Sequence, residues 1–207
     1  MESAKTCVRG NRPVRRNLLF IAAWLGFLST CLADEPPALG DRIARAARDQ
    51  IGVTTQYDPA YVRLQYPGGD VPAGTGVCSD VVVRALRVVG LDLQRAVHED
   101  MAAHFSAYPQ KWGLKRPDKN IDHRRVPNLM RYFERNRVAT TGHFQDAGTY
   151  SPGDIVAWDL GRGILHVGVV SDRKAKDVPL IIHNIGAGAQ EENILFAHRI
   201  IGHYRLK

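Results

Sequence analysis

The apolar residues change period once along the chain, and that change limits the folds open to it. From residue 38 to 136 they recur at three- and four-residue intervals, as on one face of a helix. From 154 onward they come as short runs with Val, Ile, Trp or Tyr between Gly, Asp and Pro turns. Leu39, Ile43, Ala46, Ala47 and Ile51 mark an opening helix stopped by Gly52. Val81, Val82, Ala85, Leu86 and Val89 mark a second, starting at Cys78 and closed by Gly90. The run Val81-Val82-Val83 would equally suit a strand, because branched side chains are stiff in a helix. Further helices are expected over 92–105 and 122–136, the last with Val126, Leu129, Met130 and Phe133 on one face. Segments 53–77 and 108–120 read as ordered loops, and 154–160, 165–171, 180–184 and 198–206 as an antiparallel meander. Helices first and strands after, without βαβ alternation, give an α+β chain whose N-terminal helices pack on a C-terminal antiparallel sheet.

The first 33 residues stand apart from that pattern. Lys5, Arg9, Arg12, Arg15 and Arg16 form a basic stretch, Asn17 to Cys31 is almost wholly apolar, and Cys31-Leu32-Ala33 is a small-residue cleavage site. The apolar run is shorter than the roughly 20 residues a spanning helix needs, and Asp34-Glu35-Pro36-Pro37 ends it. This predicts a signal peptide cut after Ala33, a single domain over 34–207, a periplasmic or secreted location, and no stable membrane span after cleavage. Leu28-Ser29-Thr30-Cys31 is a poor lipoprotein signal, so a lipid anchor is the lesser reading. The formal charge is +7, but five Lys/Arg against Glu2 in the first 33 residues leave only +3 for the rest. With no basic cluster beyond pairs such as Arg124-Arg125, nucleic acid is not an expected partner, whereas a mildly positive surface suits an anionic cell wall.

Export also isolates one cysteine. Cys7 and Cys31 leave with the signal, so Cys78 has no disulfide partner. It sits at a helix start after the Gly-rich run Gly74-Thr75-Gly76, where free N–H groups lower a thiol's pKa and can receive an oxyanion. A base is available in Leu165-His166-Val167-Gly168-Val169-Val170, a polar ring inside an apolar strand beside a glycine that leaves room. A second such strand, Pro179 to Asn184, carries His183 and Asn184 one strand away, either of which could orient the base. Side chains alternate along a strand, so only one of the two can face His166.

In this order, Cys78 at a helix start, Ser151-Pro152-Gly153-Asp154-Ile155-Val156, His166-Val167-Gly168-Val169-Val170 and Ile182-His183 resemble the NlpC-type, papain-like cysteine peptidases and amidases of the cell wall. More closely, Gly76-Val77-Cys78-Ser79-Asp80, Pro117 to Asn128 and His183-Asn184-Ile185-Gly186 are similar to a bacterial family of short exported proteins within that superfamily, of unassigned role. The resemblance implies a papain-like fold, Cys78 as nucleophile, His166 as base, His183 as orienter, Tyr57 supporting the oxyanion region, and no cofactor. It departs at Val77, where typical members carry Asp, and Asp80 follows two residues after the cysteine. The implied substrate is peptidoglycan or its fragments, cut at amide bonds of the stem peptide through a thioester.

Asp118, Asp122, His123, Arg124 and Arg125 crowd a short stretch. They could line a specificity site in which an Arg fork grips a carboxylate, or form a solvated helix start capped near Asp122. No metal site is expected, since HExxH, paired cysteines and His-x-His are absent, and Gly-x-Ser-x-Gly is absent too. Other classes stay open at this point: a non-catalytic wall-binding module of the same fold, or a thiol acyltransferase or lipid ester hydrolase.

Overall fold

The computed structural model describes residues 36–136, 138 and 144–207, so the segment expected to be a signal peptide lies outside the described residues. Among the described residues four α-helices come first: α1 (Leu39–Arg48), α2 (Cys78–Val88), α3 (Leu93–His104) and α4 (Val126–Arg135). A two-residue pair, β1 (Gln56–Tyr57) and β2 (Thr75–Gly76), runs parallel inside the segment expected to be loop. It ties both ends of that segment to the approach to Cys78.

Five strands follow, β3 (Ile155–Asp159), β4 (Leu165–Ala175), β5 (Val178–Asn184), β6 (Ala189–Glu192) and β7 (Arg199–Tyr204), in the spatial order β6-β5-β4-β3-β7. All neighbours are antiparallel. The α+β arrangement is therefore as expected, but the meander is incomplete, because β7 crosses back to pair with β3. Strand β6 was not anticipated from Ala189-Gln190-Glu191-Glu192, which has no branched or aromatic residue.

Alternation along the strands builds two cores. Ile155, Ala157, Val167, Val169 and Ile182 pack with Ile43, Ala47, Val81, Val82 and Leu86 of the helices. Val156, Trp158, Val170 and Ile181 pack with Tyr150, Leu195 and Ile200 on the other side. The fully buried Trp158 keeps its polar edge satisfied by donating to the Leu195 carbonyl at 2.9 Å. Helix α2 packs against α1, α3 and the sheet at once, so Val81, Val82 and Val83 are all buried. Burial of each, worth roughly 1.5–3 kcal/mol, outweighs the few tenths that branched residues cost a helix.

The helix expected over 122–136 is two pieces, a single 3-10 turn at Asp122–Arg124 and then α4. Pro127 is the cause. Its ring has no N–H and would collide with the residue-123 carbonyl if one helix ran through, whereas it fits the first turn of a helix that begins at Val126.

Candidate active site

Cys78 is the first residue of α2 and only 6% exposed. The carboxylate of Asp80 reaches back to accept the Val77 N–H at 2.7 Å, one half of a capping box. Val77 has no side-chain acceptor for the other half. The N–H groups of Cys78 and Ser79 instead turn toward the sulfur, as does that of Val167 from β4. These dipoles favour the thiolate, as the sequence position implies, but burial opposes them and wins. The thiol is pushed up to about 11, with Asp80 adding to the rise. Cys78 therefore rests as a neutral thiol.

His166 and His183 occupy the sheet face that carries Trp158 and Ile181. His166 pairs across strands with Trp158, its ring 5.8 Å away, and a side chain on Gly168 would collide with Ile181 and with Cβ of His183. His166 Nε2 lies 2.9 Å from His183 Nδ1, and His183 Nε2 lies 2.8 Å from a carboxylate oxygen of Glu192. Burial pulls His166 down to about 3 and His183 in the same direction, the latter opposed by Glu192. The row is linked to the cysteine through the backbone of β4, just before the sheet pairs with β5. The β4–β5 register starts at Val169 opposite Ile182, and the Val167 N–H on the sulfur belongs to the residue next to His166. Among the described residues no hydrogen bond joins the thiol to an imidazole.

The choice between His183 and Asn184 follows from alternation. Asn184 is on the helix-facing side, donates to the Gly76 carbonyl at 3.0 Å and accepts the Gly186 N–H at 3.1 Å. It braces the turn before Cys78 and does not face His166. Glu192 was missed because it lies on the unanticipated β6; its signal is the Gly186–Gly188 turn that folds the chain back after His183.

The Asp122–Arg124 turn points inward rather than into solvent. Arg124 spends its fork inside the protein, on Asp80 at 2.9 Å and on the carbonyls of Ala60 and Asp58 at 3.0 and 3.1 Å. Arg124 thus has no fork to offer a ligand. Asp122 accepts the Asp118 N–H and pairs with Arg125. His123 is 3% exposed and burial pulls it down to about 4. The cation turned outward is Arg125, whose guanidinium covers the ring of Trp112 at 4.1 Å. A cleft of about 320 Å³ runs from Cys78 past Tyr57 to Trp112, Arg125 and Lys111, and no Asp or Glu lines it. Burial, followed by the Cys78 and Asp80 charges, raises the Tyr57 hydroxyl above its usual range, so it faces the cleft as a hydrogen-bond donor.

The family model described as "Domain of unknown function (DUF1287)" matches residues 44–206. The chain belongs to this family. A relative in sequence of this DUF1287 chain is "Uncharacterized protein YijF" of Escherichia coli (strain K12), 62% identical over 164 residues, which span 79% of this chain and 80% of the relative. Among solved structures the chain is similar to NlpC1 from Trichomonas vaginalis, with a TM-score of 0.45, 14% identity and 83% of this chain covered. It is also similar to NlpC2 from the same organism, with a TM-score of 0.44, 13% identity and 83% covered. The chain spans under half of each of those proteins, 45% and 48%. Among the described residues no group of three His, Cys, Asp or Glu could hold a metal ion, and no helix is long and apolar enough to cross a membrane.

Proposed function

We propose that this protein is an exported cysteine hydrolase of papain-like architecture that cleaves amide bonds in peptidoglycan stem peptides. The observation that carries the proposal is the buried row His166–His183–Glu192, ending one residue from the backbone N–H that touches the helix-start thiol. Buried imidazoles joined in series beside a cysteine that has no disulfide partner are the equipment of a nucleophile and its base.

In the proposed reaction His166 Nε2 is engaged by His183, which leaves Nδ1 to take the Cys78 proton as the sulfur attacks the amide carbonyl. The neutral resting pair means that this proton moves during attack rather than before it. The N–H groups of Cys78 and Ser79, already turned toward the sulfur, receive the oxyanion, and each such donor is worth roughly 3–4 kcal/mol. Collapse breaks the C–N bond, His166 returns the proton to the leaving amine, and a thioester remains. Water, deprotonated by His166, attacks that thioester. The carboxylic acid leaves, and the sulfur recovers its proton.

The substrate assignment follows from the cleft. Lys111 faces it with no lining carboxylate, beside an Arg125 already paired to Asp122, so a substrate bearing a carboxylate near the scissile amide, as stem peptides do, is favoured over a neutral one. Export rests on the signal pattern of residues 1–33.

The test is to incubate the purified protein, Cys78→Ala and His166→Ala with peptidoglycan fragments and read product masses. Release by the wild type alone supports the proposal and identifies the bond. No release by any of the three sinks it. The deeply buried, neutral thiol then favours the second reading, a wall-binding module that keeps the fold, and binding of the same fragments would be measured directly.

A further inference from the structure

We infer that Glu192 is a positioning residue: through His183 it holds the proton of His166 on Nε2 and keeps Nδ1 bare for the thiol. The inference rests on the reading of Cys78 as nucleophile and His166 as base, and adds a residue on β6, whose composition gives no strand signal.

The argument is one of donors and acceptors. A carboxylate offers only lone pairs, so at 2.8 Å from Glu192 the His183 Nε2 must carry a hydrogen. A neutral imidazole has a single N–H, so His183 Nδ1 is bare. That bare nitrogen lies 2.9 Å from His166 Nε2, which must therefore donate to it. His166 in turn has its single N–H on Nε2 and a free lone pair on Nδ1. An acceptor at one end of the row sets the direction of every bond along it.

Among the described residues, no other hydrogen-bonding group competes for this role. Gln190, opposite His183 in the sheet, donates its amide to the Ala187 carbonyl, and the Trp158 N–H is taken by Leu195. A charge on His198 would disfavour protonation of both imidazoles, as burial does. Proton balance is kept when the thiol reacts: its proton enters His166 at Nδ1, the Nε2–H stays, and the positive charge is compensated along two hydrogen bonds by Glu192. With the opposite tautomer, His166 would hold its proton on Nδ1 and could not accept another.

Glu192 has a half-exposed side chain, 45% by area, so it can be replaced without opening the core. The experiment labels the full chain with 15N-histidine and reads by NMR which nitrogen of His166 and His183 carries the proton. Wild type and Glu192→Asp, both acceptor-only, are expected to show Nε2–H on both rings. Glu192→Lys, donor-only, is expected to reverse both rings, and Glu192→Ala to give a mixture. If Glu192→Lys and Glu192→Ala keep the wild-type pattern while their amide spectra remain native, the inference is overturned.

Turnover of peptidoglycan fragments separates this inference from the hydrolase reading. A loss of about 100-fold or more in kcat for Glu192→Lys, with rescue by Glu192→Asp, is expected where a general base is put in the wrong tautomer. Tautomers that follow residue 192 without Cys78-dependent turnover in any form would leave the positioning role standing and remove the hydrolase. Turnover abolished by His166→Ala but unchanged in Glu192→Lys would do the reverse.

Discussion

Replacing Arg124 by methionine is expected to be among the most damaging changes outside the catalytic groups, and its size can be worked from the structure. Arg124 and Asp80 form a pair with side chains only 2% and 4% exposed. The guanidinium bonds both Asp80 oxygens and also clamps the Asp58 and Ala60 carbonyls to α2. Methionine keeps much of the volume, so the loss is electrostatic. Breaking a buried pair by removing one partner costs about 3–5 kcal/mol, because the other charge stays buried with its solvation gone. At roughly 2–4 °C per kcal/mol for a chain of this size, the midpoint of thermal unfolding should fall by about 6–20 °C. Asp80 keeps only the Val77 N–H in that variant, so adding Asp80→Asn should recover at least about 1 kcal/mol by removing the stranded charge. Urea unfolding of the wild type, both single variants and the double variant closes the cycle. An Arg124→Met cost under about 1 kcal/mol, or a double variant no better than Arg124→Met, would refute the reasoning. The same proteins report on the site. Asp80 already raises the thiol, so alkylation of Cys78 should slow in Arg124→Met and recover in the double variant.

Gly168→Ala should break the imidazole row without touching it chemically, because the new Cβ would sit 2.7 Å from Ile181 Cγ2, 3.0 Å from the Ile182 carbonyl and 3.1 Å from His183 Cβ. A destabilisation of about 1–3 kcal/mol is expected, with the 15N signature of the His166–His183 bond lost; an unchanged signature would show that the glycine is not needed for the approach. Acid should destabilise the protein well above the carboxylate range. His123 and His166 are held at about 4 and about 3, below the ordinary 6.5. The unfolded chain therefore gains protons first as pH falls below 6.5, and stability drains down to about pH 3, by roughly 2 kcal/mol per histidine at pH 5. A flat urea midpoint between pH 7 and 5 would contradict this. Finally, a thiol raised to about 11 should react with iodoacetamide about ten times faster per pH unit from 7 to 10. A plateau by pH 8 would mean that the thiolate exists beforehand.

Much of this was legible in the sequence for local reasons. Helical and strand spacing is a property of consecutive residues, so the α+β order, the start of α2 at Cys78 and the placement of His166 in a strand beside Gly168 followed from short stretches. The limits of that reading are equally physical. Asp122 to Arg124 reads as a charged surface turn until Asp80, 44 residues before Arg124, is seen to occupy its fork. Whether His183 or Asn184 faces His166 is a question of sheet register, and a shift of one residue exchanges every side chain between faces. Glu192 contributes nothing to a hydrophobic pattern, so only the pairing of β5 with β6 brings it to His183. The same holds for the thiol: its position on a helix start can be read from the chain, but whether that start lowers its pKa or burial raises it depends on what tertiary packing lays over it. Periodicity determined which elements form; the register and packing between distant segments decided which polar groups meet.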